Sequence, residues 1–272
     1  MKTMVVTGAS DGIGAEIARQ LAREHGKGLA LVLAARSAAK LNEVALQCAS
    51  QGCDTLVVRT DVSDESACRH LIEAAVARFG RLDVLINNAG MSAHALFEEV
   101  AENDLHWYED LMRINLWGSV WCTHAALPHL RATRGSIVAV SSLAGLIGVP
   151  GRTAYSATKF AMTGFFEALR TELKPSGVSV TTAYPGVVAT DIRRHGYNAQ
   201  GAPAGRSGLR EDKAMSVERC AALILQGLAR REREVVMTAQ GKLGRWLRLI
   251  APGLVEQLAL KALHDDVRPD HR

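Results

Sequence analysis

The sequence predicts an α/β protein in which helices flank a doubly wound, parallel, seven-stranded sheet. Glycine-rich or polar residues directly follow several apolar runs, at the strand ends where open parallel sheets bind ligands. Apolar runs alternate with helix-length segments, which is typical of parallel sheets with helical crossovers. The strands are predicted at residues 4–6, 29–35, 55–60, 84–86, 137–140, 178–183 and 234–237. The helices are predicted at residues 13–25, 38–50, 65–79, 102–130 and 217–229, with another that carries Tyr155 and ends near Lys174.

The first strand runs into a glycine-rich turn and then a helix. Residues 7–14 read TGASDGIG, and apolar residues recur at helical spacing from Ile13 onward. Glycines at positions 8, 12 and 14 allow a tight turn and a close approach of the backbone to a pyrophosphate at the helix N-terminus. The segment therefore predicts a dinucleotide site. The alternative is a glycine-rich turn that binds no ligand.

The end of the second strand indicates which dinucleotide is bound. An acidic side chain at this position would accept hydrogen bonds from the adenosine ribose 2′-OH, whereas an arginine favours a 2′-phosphate. Here the strand ends in Ala35, and Arg36 follows. The pattern favours NADP over NAD, and the alternative is a solvated arginine at a strand end.

Polar side chains also follow the third and fourth strands. Asp61 comes directly after the third strand, and Asn87 and Asn88 come at the end of the fourth. Because the carboxyl ends of parallel strands meet at one edge of the sheet, these side chains outline one crevice with the glycine-rich turn. Each residue alone could instead cap a helix or form a turn.

An asparagine interrupts the longest predicted helix. Asn115 lies in its middle, where asparagine is unfavourable and often marks a kink or a bound water. The alternative is an ordinary exposed asparagine.

The strand at residues 137–140 leads through Ser142 and a Gly/Pro-rich loop into a helix that carries Tyr155 and Lys159. Side chains four residues apart share one helix face, so the phenol and the ammonium lie side by side. A free tyrosine has a pKa of roughly 10, and a fixed positive charge nearby lowers it. Ser142 could donate a hydrogen bond to the same substrate oxygen. The arrangement predicts proton transfer to or from a hydroxyl or carbonyl oxygen, although such Tyr and Lys pairs also occur on solvated helix faces.

Taken in order, these motifs resemble the short-chain dehydrogenase/reductase family, in its branch with the TGxxxGxG nucleotide motif. The resemblance covers residues 1–237. It is carried by residues 7–14, Asp61 with Val62, residues 87–90, Asn115, Ser142, Tyr155 with Lys159, and Pro185 and Gly186 with Thr190. It implies a single Rossmann-type domain, residues 1–240, followed by a helical tail, residues 241–272.

The resemblance also implies a role for each motif. Tyr155 would donate or accept the proton, Ser142 would orient the substrate oxygen, and Lys159 would lower the tyrosine pKa and hold the nicotinamide ribose. Asn115 would position a water that links Lys159 to solvent. Asp61 would contact the adenine, and Thr190 with the backbone near Val188 would hold the carboxamide. The implied NADP(H)-binding residues are Gly8, Ser10, Gly12, Ile13, Gly14, Arg36, Asp61, Val62, Asn88, Ala89, Gly90, Tyr155, Lys159, Pro185, Gly186, Val188 and Thr190.

One segment of the second half is predicted to cover the substrate, and the C-terminal tail is a second candidate for that role. Residues 191–215 lose periodicity after a strand end, and we interpret them as a lid from which His195 or Tyr197 could reach a substrate. Residues 241–263 hold two apolar stretches with Trp246 and basic residues. They could cover the pocket, bury against another subunit or lie in a bilayer interface. The tail loosely resembles that of family members acting on lipid-like ketones and alcohols.

Composition excludes several other classes. The formal charge of +4 is spread evenly, with no basic run that carries aromatics, so nucleic acid is not an expected partner. The five cysteines form no CxxC motif, which predicts neither a disulfide framework nor a metal site. No uncharged run reaches membrane-spanning length. We expect a cytoplasmic protein, with peripheral membrane contact through residues 241–263 as an alternative.

These patterns predict an NADP(H)-dependent oxidoreductase that interconverts a carbonyl and an alcohol on a hydrophobic substrate, such as a steroid, a retinoid or a long-chain ketone. The alternatives are a non-catalytic NADPH-binding interaction module, a sugar-nucleotide epimerase or dehydratase, and a membrane scaffold built on the tail. The complete catalytic set disfavours the first alternative, and the glycine spacing disfavours the second. The helices around Asn115 and Tyr155 form the family's usual assembly surface, which implies a homodimer or homotetramer.

Overall fold

The computed structural model describes residues 1–207 and 214–267, and its centre is one parallel sheet of seven strands. The strand order is β3-β2-β1-β4-β5-β6-β7, and every pair in it is parallel. The predicted fold class is therefore confirmed. The strands are β1 Lys2–Thr7, β2 Leu29–Ala35, β3 Asp54–Arg59, β4 Val84–Asn87, β5 Ser136–Val140, β6 Ser179–Tyr184 and β7 Glu234–Val236.

The central strands are apolar because helices cover both faces of the sheet. In β1, Met4 and Val6 belong to the core on one face and Val5 to the core on the other. Such two-sided burial produces continuous apolar runs rather than alternation. The helices α1 Gly12–His25, α2 Ala38–Ala49 and α7 Val217–Ala229 cover the first face, and α3 Glu65–Phe79, α5 Gly118–Thr133 and α6 Thr153–Leu173 cover the second.

The predicted interruption near Asn115 is a wide turn inside a continuous helix. Helix α4, His106–Met112, passes into a π-helical turn, Arg113–Trp117, and then into α5. Single π turns inside α-helices occur frequently at functional sites. The turn places Asn115 in the interior, where its side chain is fully buried.

The C-terminal segment is helical, as predicted. It forms α8, Ala239–Ile250, and α9, Pro252–Val267. The two helices are separated at Ala251, and Pro252 is the first residue of α9. Proline is well suited to this position, because the first N–H of a helix has no partner within the helix. In the described part of the chain, no helix combines the length and apolarity needed to cross a bilayer. Residues 268–272 lie outside the described residues.

Isolated backbone bridges connect the predicted lid to segments that follow the strands of the sheet. After a single turn of 3-10 helix, Asp191–Arg193, isolated β-bridges join Tyr197 to Ala93 and Val188 to Met215. Residues 208–213 of this segment lie outside the described residues.

Candidate active site

The carboxyl ends of the central strands open on one cavity of about 1070 Å³. Nearly all of the predicted site residues line it, so the structure brings the sequence motifs together. Gly14 and Asn115 do not line the cavity; they lie behind its wall. The predicted residues that line it are Gly8, Ser10, Gly12, Ile13, Arg36, Asp61, Val62, Asn88, Ala89, Gly90, Ser142, Tyr155, Lys159, Pro185, Gly186, Val188 and Thr190.

Two of the three motif glycines are required by contacts within the protein. A Cβ on Gly14 would lie 2.3 Å from the carbonyl oxygen of Gly8, and one on Gly8 would lie 2.8 Å from Cα of Ala89. Asn88 fills the space that these glycines leave, where its Nδ2 donates to the carbonyls of Thr7 at 3.0 Å and Gly8 at 3.2 Å. The glycine turn and the end of β4 are therefore one rigid unit.

Thr7 also belongs to this unit, although the sequence analysis assigned no role to its side chain. Its Oγ1 accepts from the backbone N–H groups of Asn88 and Ala89, both at 3.0 Å, and donates to the carbonyl of Ile86. A hydroxyl at the end of a buried strand was the available signal, because a buried hydroxyl needs hydrogen-bond partners.

The N-terminus of α1 faces the cavity and fits a dinucleotide pyrophosphate. Gly12, the first residue of α1, has φ +52 and lines the cavity, so its missing side chain leaves room for a ligand beside the helix N-terminus. Free backbone N–H groups and the positive end of the helix dipole favour an anion there. Asp11 caps the helix by accepting from the Gly12 N–H at 2.6 Å.

A second basic side chain joins Arg36 at the adenosine end. Lys40 lines the same part of the cavity, and its Nζ pairs with Asp11 Oδ2 at 3.3 Å. Burial would raise the pKa of Asp11, but the hydrogen bond from Gly12 and the charge of Lys40 lower it overall. Arg36 and Lys40 therefore place two basic side chains on this part of the cavity wall, which also holds the carboxylates of Asp11 and Asp61. Lys40 was missed in the sequence, although it lies four residues after Arg36.

Asp61 has a local structural task in addition to its place on the cavity wall. Its Oδ1 accepts from the backbone N–H of Ser63 at 3.0 Å and from the Ser63 hydroxyl at 2.7 Å. The turn-forming alternative considered for this residue is therefore part of its role. Asp61 and Val62 also line the cavity beside Arg36, so contact with an adenine stays a prediction.

Tyr155 is buried, and its surroundings favour the phenolate. Burial would raise the pKa of Tyr155, but the positive charges of Lys159 and Arg152, together with a hydrogen bond to Ser142, lower it below its ordinary value. Ser142 follows β5, where its Oγ accepts from the backbone N–H of Ala144 at 3.2 Å. The arrangement can hold or release a proton closer to neutral pH than a free tyrosine can.

Lys159 is buried one helical turn after Tyr155. Its Nζ lies 5.7 Å from the centre of the Tyr155 ring and donates to the carbonyl of Val140 at 3.1 Å. Burial lowers the pKa of Lys159, and the neighbouring Tyr155 raises it. The carbonyl of Val140 fixes the ammonium at the end of β5, where it faces both the phenol and the cavity.

Asn115 supports the cavity wall through its side chain. Its Oδ1 accepts from the Met91 N–H at 2.7 Å, and its Nδ2 donates to the Met91 carbonyl and to Thr158 Oγ1, each at 3.0 Å. Asn115 thus ties the loop after β4 to the helix that carries Tyr155. The interpretation as an exposed asparagine is wrong, because the π turn directs the side chain inward.

Arg152 is a site residue that the sequence interpretation missed. Its guanidinium carbon lies 4.1 Å from the centre of the Tyr155 ring, closer than Lys159 Nζ. Arg152 donates from Nε to the carbonyl of Ala93 at 3.3 Å and from Nη2 to Ser92 Oγ at 2.7 Å. Its position three residues before Tyr155, at the N-cap of the same helix, was the available signal.

The C-terminal helices cover the end of the cavity beyond Tyr155. Gly241 and Gly244 of α8 approach the loop that follows Ser142, since Cβ atoms there would lie 2.4 Å from Leu143 and 2.7 Å from Ile147. Arg248 donates to the carbonyl of Leu146 at 2.5 Å and fixes α8 to that loop. This end is mainly apolar; the tail residues that line it include Leu243, Leu247, Val255, Leu258, Ala259 and Leu263.

The lid contributes to the same end of the cavity. His195 lines the cavity together with Asp191, Ile192 and Arg193. Tyr197 instead stacks near Trp107, with ring centres 5.7 Å apart, and holds the lid against the loop after β4. Of the two lid residues considered from the sequence, His195 alone is among the residues that line the cavity.

This geometry agrees with the comparison of the chain with known families. The family model described as short chain dehydrogenase matches residues 2–200, which is well over half of the 272 residues. The chain belongs to the short-chain dehydrogenase family. As a member, it is an oxidoreductase that acts on CH–OH or C=O groups and binds a nicotinamide cofactor.

Named relatives resemble this short-chain dehydrogenase over most of its length. A protein of Sesamum indicum named 11-beta-hydroxysteroid dehydrogenase A is 36% identical over 261 residues, which cover 94% of this chain and 73% of the relative. A protein of Dictyostelium discoideum named dehydrogenase/reductase SDR family protein 7-like is 31% identical over 272 residues. The match covers 98% of this chain and 83% of the relative.

Solved structures resemble it in fold and differ in their bound cofactor. An alcohol dehydrogenase of Thermococcus sibiricus, complexed with 5-hydroxy-NADP, matches with a TM-score of 0.73 and 28% identity over 87% of this chain and 94% of that one. A short chain dehydrogenase/reductase of Burkholderia phymatum, in complex with NAD, matches with a TM-score of 0.79 and 25% identity. That match covers 93% of this chain and 94% of the other.

Proposed function

We propose that this short-chain dehydrogenase interconverts a carbonyl and an alcohol, with Tyr155 as the proton donor or acceptor and NADP(H) as the cofactor. The observation that carries the proposal is the surroundings of Tyr155. Its phenol lies in the cavity wall between two cations, next to the Ser142 hydroxyl, with its pKa lowered. A tyrosine in such a position can exchange a proton with a substrate oxygen.

The side chains divide the reaction between them. The nicotinamide cofactor, when bound, supplies or accepts the hydride. In the reducing direction Ser142 donates a hydrogen bond to the carbonyl oxygen, and Tyr155 delivers a proton to that oxygen. The cation of Lys159 then stabilises the phenolate that Tyr155 becomes. In the oxidising direction the phenolate accepts the proton of the alcohol, so the same three side chains serve both directions.

The preference for NADP follows from the charges at the adenosine end. Arg36 and Lys40 both line the cavity there, whereas Asp11 is engaged with the helix N-terminus and with Lys40. Arginine and lysine can both pair with the phosphate on the ribose 2′-oxygen, and arginine can do so with two hydrogen bonds. The pairing that these two side chains can offer to the 2′-phosphate favours NADP over NAD.

The apolar end of the cavity supports a hydrophobic substrate. Leucines of α8 and α9 line that end together with Leu143 and Ile147. An apolar group that leaves water for this surface gains roughly 25 cal/mol per Å² buried. A steroid, a retinoid or a long-chain ketone has the apolar area needed.

Surface features support an assembly and leave a membrane role as a second candidate for the tail. Trp117 is 47% exposed and stacks on Trp121 where α5 begins, which favours a homodimer or homotetramer through the surface near Asn115. On the outer side of α8, Trp246, Leu249 and Ile250 are exposed. Such a face can contact a bilayer interface of a protein that is otherwise cytoplasmic.

The test is cofactor oxidation by purified protein across matched apolar and polar carbonyls, with Tyr155→Phe as control. We expect faster turnover with NADPH than with NADH, faster turnover of apolar carbonyls, and loss of turnover in the variant with NADPH binding retained. Equal use of NADH would contradict the cofactor assignment. Faster turnover of small polar carbonyls would contradict the substrate class.

Tight NADPH binding without turnover of any carbonyl would instead favour the non-catalytic interaction module. That rival is disfavoured by the contacts of Lys159, because a pure binding protein has no need for a buried ammonium beside a buried phenol.

A further inference from the structure

Arg152 is a cation at the substrate end of the cavity, and no described carboxylate pairs with it. Arg152 lines the cavity beside Tyr155. Within the described ranges 1–207 and 214–267, no carboxylate comes within the 4.0 Å ion-pair distance of its guanidinium. Partly buried charges are ordinarily paired, because removing a charge from water is costly. The position of Arg152 therefore calls for a counter-ion from outside the chain.

The guanidinium is held in place for such a partner. The hydrogen bonds to the carbonyl of Ala93 and to Ser92 Oγ fix its plane, and the Tyr155 ring supports one face. A guanidinium carries five N–H donors. The Ala93 carbonyl, Ser92 Oγ and the Tyr155 side chain accept from three of them, which leaves two for a ligand in the cavity. A planar fork of fixed donors matches a carboxylate with two parallel hydrogen bonds.

A second arginine lies near Arg152. Arg193 lines the cavity from the predicted lid, near enough that its charge adds to the lowering of the Arg152 pKa by burial. Asp191, an acidic residue of the same segment, pairs with Arg194 at 3.8 Å.

Tyr155 alone does not satisfy Arg152. In the reducing direction Tyr155 must be protonated before it donates, so Arg152 then faces a neutral ring. Lys159, whose Nζ lies 5.7 Å from the centre of the Tyr155 ring, already supplies a cation for the phenolate. A negative charge on the substrate would pair with Arg152 throughout the reaction.

We propose that Arg152 binds an anionic group of the substrate, namely a carboxylate, so that the enzyme acts on oxo acids or hydroxy acids with an apolar chain. The proposal rests on the proposed function for the carbonyl chemistry and adds the substrate class. Because the guanidinium lies against the Tyr155 ring, the carboxylate is close to the reacting carbon. The chain then extends toward Leu247 and Leu258 of the tail.

The first test measures binding and needs no turnover. Decanoate and the uncharged decanamide are titrated into the protein in the presence of NADP by calorimetry. We expect decanoate to bind about 10- to 100-fold more tightly, the range for hydrogen bonds to charged groups. Arg152→Gln should abolish the difference, Arg152→Lys should restore part of it, and NADP binding in each variant shows that the fold is intact.

A matched control variant keeps this test specific. Arg131→Gln removes the same charge from an exposed side chain of α5 outside the cavity lining, and it should keep the preference for decanoate. Equal binding of the two compounds by the natural protein, or a preference that survives in Arg152→Gln, would overturn the proposal.

The second test compares turnover of α-oxodecanoate and its methyl ester. Arg152→Gln should slow both, because Arg152 also lowers the Tyr155 pKa, but the ratio of kcat/KM for acid over ester should fall about 10- to 100-fold. An unchanged ratio would show that Arg152 acts on Tyr155 alone and would overturn the proposal. Reduction of neither compound, with decanoate binding still dependent on Arg152, would support the anion site and count against the proposed function.

Discussion

The two ends of the cavity are built in different ways. The cofactor end consists of residues that directly follow β1, β2, β3 and β4, and hydrogen bonds of Asn88 with Thr7 and Gly8 join the ends of two neighbouring strands there. The substrate end is closed by the loop after β5, the predicted lid and two C-terminal helices that lie against them. Strand ends of one sheet determine the first end, whereas packing of loops and helices outside the sheet determines the second. Variants should therefore separate the two ends.

The catalytic centre joins the two ends, and a change there should have the largest effect. Removing the charge in Lys159→Met raises the Tyr155 pKa toward its ordinary value, since Lys159 lowers it. Alcohol oxidation uses the phenolate, so its rate rises with pH through the Tyr155 pKa, and in the variant that rise should move to higher pH. At neutral pH we expect a loss of about 100- to 10,000-fold.

The measurement is the pH profile of kcat/KM for alcohol oxidation. Lys174→Met, at an exposed lysine just after the same helix, should leave the profile in place. An unshifted profile in Lys159→Met would exclude the electrostatic role of Lys159.

An added methyl group at the cofactor end should weaken dinucleotide binding and also lower the free energy of unfolding. Gly14→Ala places a Cβ against the Gly8 carbonyl and Asn88 Nδ2, and overpacking of this kind costs about 1–3 kcal/mol. Urea unfolding and NADPH titration should both show the loss. Gly164→Ala, at an exposed helical glycine with no atom near the new Cβ, should instead stabilise the protein by about 0.5–1 kcal/mol.

The charges of the adenosine end should set the choice of cofactor and little else. Arg36→Gln and Lys40→Gln should each lower the preference for NADPH over NADH about 10-fold, the effect of roughly one charged hydrogen bond. Dissociation constants for both cofactors provide the measurement. A loss of affinity that is equal for NADPH and NADH would contradict contact with the 2′-phosphate.

A change at the substrate end should affect the substrate alone, and modestly. Gly244→Val pushes α8 away from Ile147, so we expect a several-fold rise in KM for an apolar substrate with an unchanged dissociation constant for NADPH. Gly253→Val, at a glycine with open space around it, is the matched control. An effect on NADPH binding in Gly244→Val would remove the distinction between the two ends.

The same difference explains how far the sequence could be interpreted. The strand positions, the glycine turn and the places of Ser142, Tyr155 and Lys159 follow from periodicity and spacing, because each depends on neighbours in the chain or on a resemblance in those segments. The sequence left the role of the tail open among pocket, subunit and bilayer. Which face of α8 meets Ile147 depends on long-range packing, which local pattern does not encode.

Two side chains were missed for a related reason. Lys40 lies four residues after Arg36 and Arg152 lies three residues before Tyr155, so both are close in sequence to predicted site residues. Neither belongs to a motif, however, and charged residues on helices are mostly solvated. Their proximity to Asp11 and to the Tyr155 ring became visible only in three dimensions.

The central claim is that the protein lowers the pKa of Tyr155, and ultraviolet titration of tyrosine ionisation tests it most directly. The chain has four tyrosines, and burial raises the pKa of Tyr184 and of Tyr197. We predict that one tyrosine ionises below the ordinary range and that Tyr155→Phe removes this early step. A titration in which every tyrosine ionises at or above its ordinary pKa would contradict the account.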